Sequence, residues 1–355
     1  MPASSGTAPA KHLARYLALA YTLLVIYASL HPFSGWRDLG LSPLAFLEAG
    51  WPRYWTGFDL TVNILAYVPL GFLLALALPT PILPRLLPSF LAALLAAGLS
   101  FSMEAIQTWL PTRVPSNLDL ACNSLGGLLG AGLAFFHGER LFRHLTRWHG
   151  RLVAERPQAE LGIVLLGLWL LTQVTPETLL FGTGNLRGLI DFPPGVPFAP
   201  PLFQAVETTI VAINLVAVGL LARTLLADPW PARIGPLALV ALALGVKCLA
   251  AAVLVGPGDA LSWLSEGSRQ GLLWGCVALA VLMWLPAAPR VMLATLGLMA
   301  ATVLVNMAPE NPYSIAALAT WRQGHFFNFN GLTRLIASLW PFAAVPYLML
   351  LGRRL

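Results

Sequence analysis

DLTVNILAYVPLGFLLAL, residues 59–76, is an apolar run interrupted by Asp59 and Asn63, four positions apart. The run SMEAIQTWLPTRVPSNLDLACNSLGGLLGAGL, residues 102–133, places Glu104 and Gln107 three apart, and Asp119 and Asn123 four apart, on either side of a short loop. These stretches are rich in Leu and Ala with scattered Gly and lack the strict alternation of a barrel strand. Backbone amides in hydrocarbon must be satisfied within each segment, so the reading is helical. Residues three or four apart share a helix face, so each polar pair faces one way. Ionisable groups in such segments are costly and usually face a cavity or a partner, which makes the cluster a candidate site.

The rest of the chain extends this reading. Hydrophobic residues make up 57% of 355, charged residues 10%, and the mean hydropathy is +0.74. This describes a polytopic transmembrane helical bundle of all-α class and excludes a soluble enzyme with a large core. Apolar windows give about ten spans, near 13–31, 60–79, 87–106, 119–137, 161–175, 206–226, 236–255, 269–286, 290–307 and 335–351. The first follows Lys11 and Arg15 with no small-residue cleavage site, and reads as a retained helix. With the N-terminus inside, thirteen of the 21 basic residues fall on the cytoplasmic side and seven outside, with Lys247 within a span, so both termini are expected to be cytoplasmic. The net charge of +6 then needs no nucleic-acid partner. The Arg-rich segment from Arg140 to Arg156 suits a loop beside anionic membrane lipid.

The same topology puts the polar cluster on the outer face, with Arg113 in the loop able to reach the carboxylates. Glu104 is the least ordinary member, because a negative charge near the C-terminal end of a helix opposes the dipole. The expected catalytic set is Glu104, Arg113 and Asp119, with Glu104 giving or taking a proton and Arg113 contacting an anion or carboxylate. The expected substrate-binding set is Asp59, Asn63, Gln107 and Asn123. A structural reading stands beside it: Asp59 and Asp119 as helix N-terminal caps, and Asn63 and Asn123 as interhelical hydrogen bonds. Gly126-x-x-x-Gly130 reads as a packing stripe.

The order Asp59, Asn63, Pro69-x-Gly71-Phe72, Glu104-x-x-Gln107, Pro111-x-Arg113, Asp119-x-x-x-Asn123, Gly126, Gly127 and Gly130 resembles the VanZ-like family of bacterial membrane proteins. Tyr27-x-Ser29-Leu30-x-Pro32-Phe33 fits it too. The resemblance covers about residues 13–137. It implies an integral protein of the bacterial cytoplasmic (inner) membrane with a cell-envelope role, in a family named for a glycopeptide (teicoplanin) resistance protein, and leaves open whether the chain is an enzyme.

The expected organisation is a four-helix membrane domain at 1–137, a cytoplasmic linker at 138–160, and a second membrane domain at 161–355. A shift of 148 positions sets Asp59 on Glu207, Gly71 on Gly219 and Gly127 on Gly275, but Asn63 on Val211, Glu104 on Ala252 and Arg113 on Leu261. The second domain is therefore either a degenerate repeat without the polar site, plus two helices, or unrelated with chance matches. Lys247, mid-span, calls for a carboxylate such as Glu207 or Glu104, or for a polar cavity. The aromatic segment Trp321–Asn330 reads as an interfacial belt or a headgroup-binding element. Cys122, Cys248 and Cys276 show no metal or disulfide spacing, and with no HExxH and no phosphate loop, neither metal nor cofactor is expected. Three functions compete: binding or modifying a lipid-linked or cell-wall-derived substrate, transporting or flipping one, and a noncatalytic scaffold. A protease resembling exosortases is weaker still, since Cys122 lacks a base.

Overall fold

Among the described residues of the computed structural model, every regular element is helical apart from one isolated bridge between Val153 and Leu226. The structure describes residues 8–78, 86–156, 158–175, 178–187, 189–190, 196–228, 230–254, 256–309 and 327–355. Among them run α1 (Ala8–Leu30), α2 (Ala45–Glu48), α3 (Gly57–Ala77), α4 (Leu86–Gln107), α5 (Asn117–Leu152), α6 (Ala159–Thr172), α7 (Pro200–Leu225), α8 (Trp230–Leu254), α9 (Glu266–Leu282), α10 (Ala287–Met307) and α11 (Phe327–Gly352). The all-α expectation holds, and the chain is an integral membrane protein.

The count of ten spans is not confirmed. Among the described residues, eight helices are long and apolar enough to cross a membrane: α1, α3, α4, α5, α7, α8, α10 and α11. The windows read at 161–175 and 269–286 fold as α6, of 14 residues, and α9, of 17. At 1.5 Å per residue these rise about 21 and 26 Å, short of a hydrocarbon core of about 30 Å. The hydropathy windows ran past the helix ends at Gln173 and Met283; apolar Met283, Trp284 and Leu285 continue beyond α9, whereas beyond α6 only Val174 does.

The chain divides into two units, residues 1–149 and 150–355. In the first, α3 opens on a capping box in which the Thr56 hydroxyl accepts from the Asp59 N–H while the Asp59 carboxylate accepts from the Thr56 N–H. Glycines then set how closely α3 and α5 approach. A Cβ at Gly126 would fall on the Ile64 carbonyl, one at Gly130 on the Val68 carbonyl, and one at Gly71 on the Gly127 carbonyl. The two helices run parallel with their backbones touching, as small residues permit in lipid, where no hydrophobic drive brings helices together. The face of α4 built from Ala92, Ala96, Ser100 and Glu104 is buried, and Ala96 meets Gly127. Leu94, Leu95, Leu128, Leu129 and Leu133 point outward, where lipid solvates them.

The second unit is organised around α7, buried on most sides from Ile210 to Leu225. Gly267, Gly271 and Gly275 lay α9 parallel to α7, against Glu207, Val211 and Leu215, while Leu279 fills the space at Gly219. The Trp340 indole donates to the Leu165 carbonyl at 2.7 Å, tying α11 to α6. Lys247 is 2% exposed and donates to the Thr175 and Thr178 carbonyls at 2.6 and 3.3 Å. Its hydrogen bonds thus go to backbone carbonyl oxygens and not to Glu207 or Glu104. Residues 321–326 of the aromatic segment lie outside the described residues, as do 176–177, 188 and 191–195 of the loop at 175–201.

Candidate functional site

The C-terminal ends of α1 and α4 and the N-terminal ends of α3 and α5 lie at one end of the first unit, and the polar residues gather there. Glu104, 4% exposed, accepts a hydrogen bond from the Ser116 N–H at 2.7 Å. Ser116 stands just ahead of α5, and its hydroxyl accepts from the Asp119 N–H at 3.2 Å. The carboxylate therefore sits over the positive end of α5, which offsets its poor position at the C-terminal end of its own helix. Asn63 donates to the Asp119 carboxylate at 2.8 Å, joining α3 to α5, and Asn123 donates to the Ser100 hydroxyl at 3.0 Å, joining α5 to α4.

Two groups in this layer are unsatisfied. The Tyr67 hydroxyl and Asn123 Oδ1 are buried without a hydrogen bond, on side chains 4% and 7% exposed. Tyr67 lies beside Ser100, outside hydrogen-bond geometry, and within electrostatic reach of Glu104. Buried polar groups are nearly always paired, so an orphan donor and an orphan acceptor beside a carboxylate are a specific feature of this site.

The remaining expected residues work at the margins. Arg113 donates through Nε to the His31 carbonyl at 3.1 Å and through Nη2 to the Ala28 and His31 carbonyls at 3.0 and 2.9 Å. Gln107 donates to the Ser29 carbonyl at 2.9 Å. Both satisfy carbonyls left over at the end of α1. Burial pulls the Arg113 guanidinium below its ordinary value and the Glu104 charge pushes it back up, leaving a fixed cation. Asp59, exposed, caps its own helix. The structure thus brings Glu104, Asp119, Asn63 and Asn123 into one interhelical layer, sets Arg113 and Gln107 on α1, and leaves Asp59 at the rim.

Sequence reasoning passed over Tyr67, Ser100 and Ser116. The available signal was spacing: Tyr67 continues Asp59 and Asn63 by four, and Ser100 precedes Glu104 by four. Exposed Trp36, Trp51, Tyr54, Trp55 and Phe58 lie in the chain leading into α3 and in its first turn, where an aromatic belt meets a membrane interface. Among the described residues no three His, Cys, Asp or Glu side chains gather to hold a metal ion.

A family model described as VanZ/LLP1 matches residues 10–141, which run through α1 to α4 and most of α5. No curated protein and no solved structure matches the chain. The VanZ-like resemblance therefore belongs to the segment that carries the site, and residues 142–355 lie beyond it.

Proposed function

We propose that this is a cell-envelope protein of the bacterial cytoplasmic membrane whose VanZ-type segment binds or modifies a lipid-linked or cell-wall-derived substrate at the outer face, and so affects susceptibility to teicoplanin. The observation that carries the reading is Glu104, buried in an apolar helix beside the unpaired Tyr67 hydroxyl and Asn123 Oδ1. In this reading Glu104 takes or gives a substrate proton, Tyr67 donates to the substrate and Asn123 accepts from it. Asp119 and Asn63 tie α3 to α5 beside Glu104. Arg113 supplies the positive field while bracing α1. In the first unit, Lys11, Arg15, Arg85, Arg140, Arg143 and Arg147 on the opposite side against Arg37, Arg53 and Arg113 on this one, together with the aromatic rim, support an outward-facing site.

The test is teicoplanin susceptibility of cells carrying Glu104→Gln, Arg113→Ala or both, with membrane abundance measured in the same cells. Loss of resistance at normal abundance for Glu104→Gln is expected. Unchanged resistance, or loss that follows abundance, would overturn the reading. A noncatalytic scaffold is the second reading, favoured by Arg113 and Gln107 being spent on α1 carbonyls. Under it all these variants act through abundance alone.

A further inference from the structure

The second unit buries a guanidinium that is not fully hydrogen-bonded. Arg290 lies in the first turn of α10 and is 5% exposed, and its Nε and Nη1 make no hydrogen bond. Among the described residues, the charges acting on it are Arg223, Asp228 and Arg156, so three guanidinium groups share one carboxylate there. That carboxylate is already engaged: Asp228 accepts from Arg223 Nη2 at 2.7 Å and is itself 69% exposed. The helix end adds to the excess, because α10 begins at Pro286 without a side-chain cap and without an acidic residue in its first turn. An arginine at the positive end of a helix is opposed by the dipole. Excess charge of one sign, from side chains and helix end alike, is what an anion would neutralise.

The setting specifies the anion. Arg290 lies near the start of a membrane-crossing helix, at the depth where a span gives way to headgroups. At this end of the unit, Gly352 of α11 packs on Val291, and the exposed Arg353 and Arg354 follow. The guanidinium fork matches the oxygens of a phosphate better than any other common anionic group at that depth. We propose that Arg290, with Arg223 and Arg156, forms a binding site for a phosphate group, carried by an anionic lipid or free in solution. Arg290 supplies the two unpaired N–H donors at the base. Arg223 and Arg156, partly exposed, line the approach, and Asp228 exchanges its hold on Arg223 when the anion enters.

The experiment uses the full chain in detergent micelles, reading thermal stability on titration with phosphatidylglycerol, with phosphatidylcholine of the same acyl chains, or with inorganic phosphate against chloride at matched ionic strength. Native mass spectrometry counts retained lipid. Stabilisation by phosphatidylglycerol over phosphatidylcholine identifies a lipid source, and stabilisation by inorganic phosphate a soluble one. In either case Arg290→Gln should weaken the response about tenfold or more. With neither ligand present, Arg290→Gln should melt above wild type, since it removes an unpaired buried charge. If that variant fails to fold, Arg156→Gln, at a partly exposed position, carries the same comparison. A wild-type protein indifferent to both phosphatidylglycerol and phosphate, or a variant that responds as wild type does, would overturn the site.

Discussion

Removing the Tyr67 hydroxyl separates binding from packing, because the two roles move stability and activity in opposite directions. The group is buried and unpaired, so Tyr67→Phe is expected to raise stability by up to about 1–3 kcal/mol in a thermal melt of the purified protein. Under the proposed function the same change lowers teicoplanin resistance. A fall in stability instead would mean that the hydroxyl has a structural partner. Asn63→Ala is the contrast: it strips the Asp119 carboxylate of an interhelical hydrogen bond and should cost about 1–3 kcal/mol. At this scale the sequence reveals charge and hides context. Glu104 stands out because a carboxylate in an apolar run demands an explanation, whereas Tyr67 and Ser100 are ordinary residues of membrane helices and gain meaning only from what faces them. Arg113 was legible as a cation, but not its hold on the end of α1, which lies 82 residues away.

Between helices, glycine and arginine perform the joining. A methyl added at Gly130 would press on the Val68 carbonyl, which cannot yield as a flexible side chain can. One at Gly132 meets nothing within 4 Å. Gly130→Ala should therefore destabilise by about 1–3 kcal/mol, while Gly132→Ala should be neutral or slightly stabilising through helix propensity. Equal losses for both would place the backbone contact elsewhere. Arginines bind loose helix ends in both units: Arg113 serves α1, and Arg187 donates to the Asn306 and Ala308 carbonyls at the end of α10. The helical nature of each segment was readable from composition. The ends of α6 and α9 were not, because hydropathy averages over the residues where a helix stops. Each unit holds a parallel pair joined by glycines, α3 with α5 and α7 with α9, but the contacts differ: Gly71 meets Gly127, whereas Gly219 meets Leu279.

For the molecule as a whole, the orientation inferred from basic residues can be measured directly. In a chain freed of Cys122, Cys248 and Cys276, Val114→Cys should react with a membrane-impermeant maleimide added to intact spheroplasts, since Val114 is 84% exposed. Arg354→Cys should react only after permeabilisation, and the reverse pattern would turn the protein over. Composition made the membrane class plain, and one dense motif pointed to the segment that matters, while residues 142–355 carried no comparable signature. The glycine contacts between α3 and α5 have one more consequence. Because Gly71 and Gly130 fix the two backbones against each other, Asn63 keeps its aim at Asp119 only while the number of residues between Asn63 and Gly71 stays constant. Each inserted or deleted residue there would swing the polar end by about 100° around the helix axis. Substitution can retune this site over evolutionary time, but changes in helix length cannot, so the distances in sequence between its motifs should be inherited more rigidly than the motifs themselves.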